Sequence, residues 1–159
     1  MNFEKKIKTL TQLKKTVFRK RKSQTVVFTN GCFDILHYGH TEYLWRAKKL
    51  GTILIVALNS DASVKKIKGK TRPINKQFER ARVLAALGFV DYVTIFNEAT
   101  PLKVIKEIKP DILVKGGDWK KQNIVGAEFV NSYSGKVIAL PYIKGYSTTL
   151  LLEKCTRKG

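Results

Sequence analysis

Short apolar runs recur along this chain, with polar and amphipathic segments between them. Five runs of four to seven residues are rich in valine, isoleucine, leucine and aromatic residues. Near-continuous apolar runs of this length are typical of strands that are buried on both faces of a parallel sheet. The pattern therefore predicts five strands, at residues 25–29, 53–58, 90–96, 112–115 and 137–140.

The segments between the runs carry apolar residues at helical spacing. Residues 3–18 form an apolar stripe with lysines on the other faces, which predicts an amphipathic helix laid on the domain. Residues 65–73 are too polar and too broken for a helix or strand, so we predict a mobile basic loop that closes over phosphates. The other predicted helices start near residue 43, at an Asn75 cap, at a Thr100 cap, near Gly126 and after Ser147.

Strands and helices alternate five times, which predicts an α/β fold: a Rossmann-like, doubly wound, five-stranded parallel sheet of order 3-2-1-4-5. We expect a single domain, with a basic N-terminal helix and link at residues 1–24 and the main domain at residues 25–159. In this strand order, the loop after the first strand faces the loop after the fourth. Ligands of such sheets bind in that crevice.

The first loop carries the only two histidines of the chain, His37 and His40, on either side of Gly39. They fall at or just before the start of a predicted helix, where free backbone N–H groups and a partial positive charge favour anions. Gly39 leaves room for a ligand near the backbone. The loop therefore has the features of a phosphate site. Two ordinary surface histidines are the simpler alternative.

Composition adds one extreme, a formal net charge of +19 over 159 residues. Such a charge attracts anions, including nucleotides, sugar phosphates and nucleic acid, but does not choose among them. Cys32 and Cys155 form neither a disulfide framework nor a metal-ligand spacing, which fits a reducing cytoplasm. We see no transmembrane run and no secretory signal, and expect no membrane insertion.

Two motifs resemble the signatures of the cytidylyltransferase-like nucleotidyltransferase superfamily: His-x-Gly-His at residues 37–40, after residues 29–34, and Ser-Thr-Thr at residues 147–149. The resemblance covers residues 25–154. Residues 59–63, 68–69, 72–73 and 114–118 are similar to the nucleotidyltransferase domain of bacterial ADP-heptose synthases, the D-beta-D-heptose 1-phosphate adenylyltransferases, here without a kinase domain. The resemblance implies that AMP from ATP is joined to a heptose 1-phosphate, with pyrophosphate released, as in lipopolysaccharide synthesis.

The resemblance also implies a role for individual residues. His37, His40 and Lys68 would be catalytic, and Mg²⁺ would arrive with ATP rather than on a dedicated set of protein ligands. Asp34 would orient the first loop or meet Mg²⁺, with a turn-capping carboxylate as the alternative. The residues expected at the nucleotide are Thr29, Asn30, Gly31, Phe33, Gly39, His40, Gly117, Asp118, Ser147, Thr148 and Thr149, and those expected at the sugar phosphate are Asp34, Asp61, Arg72 and Arg80.

Three alternatives stay open at this point. Two are enzymes of the same superfamily, a glycerol-3-phosphate cytidylyltransferase and an adenylyltransferase that resembles FAD synthetase. The third is a nucleotide- or RNA-binding module without turnover. A module that only binds RNA would need neither the histidines nor the Ser-Thr-Thr motif, so we expect no nucleic-acid partner. A homodimer is compatible with the sequence.

Overall fold

The computed structural model describes residues 2–21, 23–117 and 119–156. A 3-10 turn, Phe3–Lys6, precedes the first helix, and a second such turn, Lys121–Asn123, follows the fourth strand. In chain order the helices and strands are α1 Leu10–Lys20, β1 Val26–Gly31, α2 Tyr38–Lys48, β2 Ile53–Asn59, α3 Asp61–Lys68, α4 Gln77–Ala86, β3 Tyr92–Phe96, α5 Leu102–Ile108, β4 Ile112–Gly116, α6 Ala127–Asn131, β5 Lys136–Leu140 and α7 Thr148–Thr156.

All five strands form one parallel sheet in the order β3-β2-β1-β4-β5, which confirms the predicted topology. The central strand β1 has its first four residues buried, and every residue of β2 is buried. Strands covered on both faces need no polar alternation, which is why they are visible in the sequence as apolar runs. The chain thus has a single Rossmann-like α/β domain.

Alternate residues of each strand contribute to two separate cores. Val26 and Phe28 face the layer that contains α1, α5 and α6, whereas Val27 faces the layer that contains α2 and α4. This alternation continues to the ends of the strands. It therefore fixes the layer toward which each polar residue at the carboxyl edge of the sheet points.

The N-terminal segment is more broken than predicted. Ile7 pairs with Val93 of β3 in an isolated parallel bridge, so the chain runs extended between the 3-10 turn and α1. Thr9 then begins α1 with a capping box, in which its side chain accepts from the backbone N–H of Gln12 and the Gln12 side chain accepts from the Thr9 backbone. Leu13 of α1 is fully buried in the domain core.

Two sequence-based predictions were wrong in this part of the chain. Residues 65–68 belong to helix α3 rather than to a loop, because the Ser60 side chain caps the helix and Val64 buries one side of it. Asn75 does not cap α4, since Lys76 is the N-cap and the Asn75 side-chain amide donates to the Asp34 carbonyl instead. Within the described residues, no helix is long and apolar enough to cross a membrane.

Leu13→Ala tests whether α1 is part of the domain's cooperative core. We expect a loss of about 2–5 kcal/mol in the free energy of unfolding, the usual cost of truncating a buried leucine, with one unfolding transition retained. Urea denaturation followed by circular dichroism measures both. Phe18→Ala on the same helix is the matched control, because that ring is 79% exposed and its loss should change stability little. Equal effects of the two variants would show that α1 is not integral to the core.

Candidate active site

The carboxyl end of β1 leads directly into the first polar loop. β1 ends at Gly31, and α2 begins at Tyr38 with His37 as its extended N-cap residue. The carbonyl of His37 accepts the backbone N–H groups of His40 and Thr41, which fixes the first turn. Both histidines therefore lie at a helix N-terminus, as the sequence predicted, and this end of a helix favours negatively charged ligands.

The two imidazoles form a close pair. Their rings stack with centroids 3.8 Å apart, and the edge of the Phe33 ring packs against His40 with centroids 5.2 Å apart. The Nδ1 atoms of His37 and His40 are both buried, and neither has a hydrogen-bond partner among the described residues. Because buried polar atoms are normally paired, this arrangement indicates a binding site rather than packing.

Burial holds both imidazoles in the neutral form. Burial lowers the pKa of His40 to about 4, the neighbouring His37 acts in the same direction, and a hydrogen bond with the Ile35 backbone opposes them. Burial also lowers the pKa of His37. Each ring at neutral pH thus offers one N–H donor without a full positive charge.

An NMR titration of the imidazole C–H signals checks this state. We expect His40 to titrate near pH 4 and His37 below its ordinary value of 6.5, with His37→Gln and His40→Gln variants assigning the two signals. The lowered pKa values also make stability depend on pH. The folded chain binds these protons less tightly than the unfolded chain, so the free energy of unfolding falls as the pH drops from 6.5 toward 4. Two midpoints near 6.5 would contradict the buried, neutral pair.

The Ser-Thr-Thr motif lies against the histidine loop. A Cβ atom added to Gly39 would lie 3.1 Å from the Tyr146 Cβ and 3.2 Å from the His37 ring, so Gly39 allows these two segments to approach each other. The Tyr38 and Tyr146 rings meet edge to face, 5.0 Å apart. Ser147 accepts from the backbone N–H of Leu150 at the start of α7. The structure therefore brings a second helix N-terminus to the histidine pair.

The remaining residues of the first loop are held from inside the fold. The Thr29 hydroxyl and the Tyr43 hydroxyl lie 2.5 Å apart, and Tyr43 also donates to the Val114 carbonyl. Phe33 has a φ of +43°, and its ring lies so close to Gly31 that an added Cβ would be 2.8 Å from it. These contacts hold the end of β1 against α2 and β4.

The loop after β4 faces the same edge of the sheet. Gly117 has a φ of +117°, and an added Cβ would lie 2.6 Å from the Tyr142 ring. Its backbone N–H donates to the Leu140 carbonyl at the end of β5. A residue with a side chain would strain this turn and collide with the tyrosine. Asp118, predicted at the nucleotide, lies outside the described residues.

The four residues predicted at the sugar phosphate are paired with one another. The Asp34 carboxylate is buried, accepts from the backbone N–H groups of Ile74 and Asn75, and lies 3.1 Å from the Arg72 Nε atom. Asp34 thus acts as an anchor for the segment before α4. This is the turn-capping alternative.

Arg80 is the largest fully buried side chain of the described chain. Its guanidinium lies 2.8 Å from an Asp61 carboxylate oxygen and donates to the carbonyls of Cys32 and Asn75. The geometry therefore directs Arg80 toward Asp61 and the first loop, whereas the Asp61 side chain stays one-third exposed. Sequence patterns had not revealed either pairing.

Three further residues at this edge were not identified from the sequence: Tyr43, Asn75 and Lys115. Tyr43 and Asn75 hold the first loop through hydrogen bonds to Thr29 and Asp34. These roles become visible only when the tertiary partners of the two residues are known. Lys115 had one visible signal, a cation at the end of an apolar strand.

The predicted catalytic residue Lys68 is the last residue of α3 and is exposed. The described residues contain no cluster of three or more metal-ligating side chains.

Comparison with known proteins places this arrangement in a family. The sequence model of the cytidylyltransferase-like family matches residues 28–154. The bifunctional protein HldE of Campylobacter jejuni subsp. doylei is 52% identical over 158 residues, which is 99% of this chain and 33% of the relative. That of Syntrophotalea carbinolica is 50% identical over 135 residues, 85% of this chain and 28% of the relative. The chain thus spans about a third of the curated relatives it matches.

Solved structures give the same result. A lipopolysaccharide core biosynthesis protein from Thermoplasma volcanium is 33% identical with a TM-score of 0.61, and the match covers 79% of this chain and 100% of that one. The pantoate–beta-alanine ligase of Francisella tularensis, solved with beta-gamma ATP and beta-alanine, has a TM-score of 0.63 at 16% identity over 96% of this chain and 79% of that one. The second likeness concerns the fold alone.

Proposed function

The chain belongs to the cytidylyltransferase-like family of nucleotidyltransferases, and on that premise we propose that it joins AMP from ATP to D-glycero-beta-D-manno-heptose 1-phosphate. The products are ADP-heptose and pyrophosphate. The choice of sugar is supported by the resemblance of residues 59–63 and 114–118 to ADP-heptose synthases, and by the similarity to a lipopolysaccharide core biosynthesis protein.

The single observation that carries the proposal is the stacked, neutral histidine pair, whose buried Nδ1 atoms have no partner among the described residues and which lies between two helix N-termini. In the reaction, an oxygen of the sugar phosphate forms a bond to the α-phosphorus of ATP. The bond from that phosphorus to the bridging oxygen breaks, and its electrons leave with pyrophosphate. Such a transfer needs positioning and charge stabilisation more than covalent chemistry.

Each part of the site has a role in this proposal. His37 and His40 donate to the α-phosphate as charge grows on it. The hydroxyls of Ser147 and Thr148 and the start of α7 bind the β- and γ-phosphates, and the loop at Gly117 lines the base pocket. Thr29 is fully buried and its hydroxyl is bonded to Tyr43, so we propose that it positions the end of β1 instead of contacting the nucleotide. The other predicted nucleotide contacts keep their assignment, and they are Asn30, Gly31, Phe33, Gly39, Asp118 and Thr149.

Mg²⁺ fits this site as a companion of the triphosphate. Mg²⁺ in such enzymes is held mainly by phosphate oxygens and water, and when bound it would neutralise phosphate charge. Asp34 is not free to act as its ligand, because its carboxylate is occupied by Arg72 and two backbone N–H groups. For the same reason we now propose that Asp34, Asp61, Arg72 and Arg80 position the first loop.

We further propose that the reaction takes place in the cytoplasm and that residues 25–159 form the transferase domain, on which residues 1–24 pack. A homodimer remains compatible with this proposal.

The function is tested by incubating the purified chain with ATP, Mg²⁺ and heptose 1-phosphate and following the mixture by ³¹P NMR. We expect the two signals of a sugar-linked diphosphate together with pyrophosphate. ATP hydrolysis alone, or nucleotide binding without turnover, would contradict transfer.

Lys68→Ala tests the role of the basic end of α3. We expect kcat to fall by roughly 10- to 100-fold at saturating ATP with little change in KM for ATP, as for a contact made mainly in the transition state. Lys66→Ala is the matched control, since it removes an exposed lysine from the same helix. Steady-state kinetics of both variants decide the matter: equal rates would remove Lys68 from the catalytic residues.

A further inference from the structure

A small pocket opens at the carboxyl edge of the sheet, on the face opposite α2. It has a volume of about 110 Å³ and lies between the ends of β1 and β4, the start of α5 and the turn before α6. Asn30, Lys115, Trp119, Asn123 and Ile124 are among its lining residues. Pockets that enclose a drug-sized ligand measure roughly 300–1,000 Å³, so this pocket has room for a phosphate or part of a sugar and not for a whole nucleoside triphosphate.

The strand alternation explains why a lysine enters this pocket. Phe28 and Leu113 are paired across β1 and β4 and both face the α5 and α6 layer. Two residues further along each strand, Asn30 and Lys115 point to that same side. The Lys115 Nζ atom lies 3.4 Å from the Asn30 Oδ1 atom, which is a long contact.

Lys115 is a cation without a counter-charge among the described residues. None of the ion pairs found there includes it. Burial is the main influence on its ammonium group and lowers its pKa. A half-buried ammonium group that lacks an acidic partner is costly unless an anion completes it. The pocket therefore favours an anionic ligand.

A second observation places this charge near the first loop. The thiol of Cys32, directly after β1, is influenced by Lys68 and Lys115 from its surroundings, and both lower its pKa against the larger effect of burial. Lys68 also forms no ion pair with a described residue. Lys68 and Lys115 thus both lie close enough to the first loop to act on Cys32, and neither is in an ion pair with a described residue.

The walls of the pocket fit a sugar. Trp119 is 47% exposed, so its indole can pack against the C–H face of a sugar ring, and the side-chain amide of Asn123 can hydrogen-bond hydroxyl groups. A nucleobase would also stack on an indole, but it would leave Lys115 without an anion. One cation, one amide and one aromatic side chain together match a phosphorylated sugar.

We propose that this pocket is the acceptor subsite, in which Lys115 binds the phosphate of the sugar 1-phosphate and Trp119 and Asn123 contact the sugar. The assignment rests on the proposed function. Lys115 neutralises part of the acceptor's charge, so that its phosphate oxygen can approach the α-phosphate of ATP despite their repulsion. The bond that forms and the bond that breaks are those of the transfer itself, and no proton has to move to or from Lys115.

Lys115→Met keeps most of the apolar stem of the side chain and removes its charge. We expect KM for heptose 1-phosphate to rise about 10- to 100-fold, the usual range for losing a charge-assisted hydrogen bond, while KM for ATP stays within about twofold. Lys115→Arg should recover part of the loss. Lys136→Met, at the opposite end of β5, is the matched control and should leave both constants unchanged. A rise in KM for ATP alone would assign the pocket to the nucleotide and overturn the proposal.

A binding measurement separates this proposal from the proposed function. In a Trp45→Phe background, Trp119 is the only tryptophan, and heptose 1-phosphate should change its fluorescence with or without a non-hydrolysable ATP analogue. The Trp119→Ala chain is expected to fold because this side chain is exposed, and its KM for the acceptor should rise as well. Absence of any transfer by the unmodified chain would contradict the proposed function. Normal transfer with no fluorescence response and no acceptor KM change would contradict the acceptor subsite alone.

Discussion

His40→Ala lowers the turnover of nucleotidyl transfer by about two to three orders of magnitude, the typical cost of removing one donor from a preorganised charge-stabilising site. The free energy of unfolding should change by less than about 1 kcal/mol, because the lost ring contacts with Phe33 and His37 are offset by removal of a buried Nδ1 atom that has no partner among the described residues. Single-turnover kinetics and urea denaturation of the same preparation measure the two effects.

His37→Ala should have a similar effect on turnover, since the two rings stack and act on one phosphate. The double variant should lose far less than the product of the two single losses, as expected for residues that act as a unit. Thr41→Ala is the control: it changes the same helical turn, where the Thr41 hydroxyl donates to the Tyr38 carbonyl and to no other described residue. Near-normal turnover by a folded His40→Ala chain would remove the histidine pair from catalysis.

The sheet could be predicted from the sequence because its strands are buried on both faces. Runs such as residues 53–58 then contain no polar interruption, and the strand order follows from the connection rules of parallel sheets. The histidine pair was also predictable, because its position depends on local structure, namely the end of β1 and the start of α2. Features that depend on a short stretch of chain can therefore be predicted from the sequence.

Features that depend on distant partners cannot be predicted in this way. Asp34 pairs with a segment 40 residues away, and Arg80 pairs with Asp61 at a separation of 19 residues. Charged residues near a predicted anion site look like ligands when these partners are unknown. Helix α3 was missed for a related reason, because one buried valine and a serine cap stabilise it without a full apolar stripe.

The pocket at Lys115 combines both cases. The strand pattern predicted that residues 112–115 end at the binding edge of the sheet, and residues 114–118 resemble a motif of ADP-heptose synthases. Which side of the sheet Lys115 faces depends on the register of β1 against β4, and the walls come from the turn before α6. A one-residue change of register would direct the lysine into the opposite layer. Only the folded chain shows that it enters a cavity.

ATP with heptose 1-phosphate should be converted with a kcat/KM at least about 10⁴-fold higher than CTP with glycerol 3-phosphate. Sites that hydrogen-bond a given base edge or a set of sugar hydroxyls reach such ratios, because the wrong partner leaves buried polar groups unpaired. Glycerol 3-phosphate is too small to fill a sugar site, and cytosine presents a different pattern of donors and acceptors from adenine. Pyrophosphate release measured side by side gives both rates.

Two mixed substrate pairs show how much of this kcat/KM ratio comes from the base and how much from the acceptor. CTP with heptose 1-phosphate isolates the base, and ATP with glycerol 3-phosphate isolates the acceptor. We expect each single mismatch to cost part of the total, and Lys115→Met to reduce discrimination only where the acceptor is varied. A preference for CTP and glycerol 3-phosphate would contradict heptose as the acceptor and leave nucleotidyl transfer intact. FMN as the preferred acceptor would instead indicate an enzyme that resembles FAD synthetase.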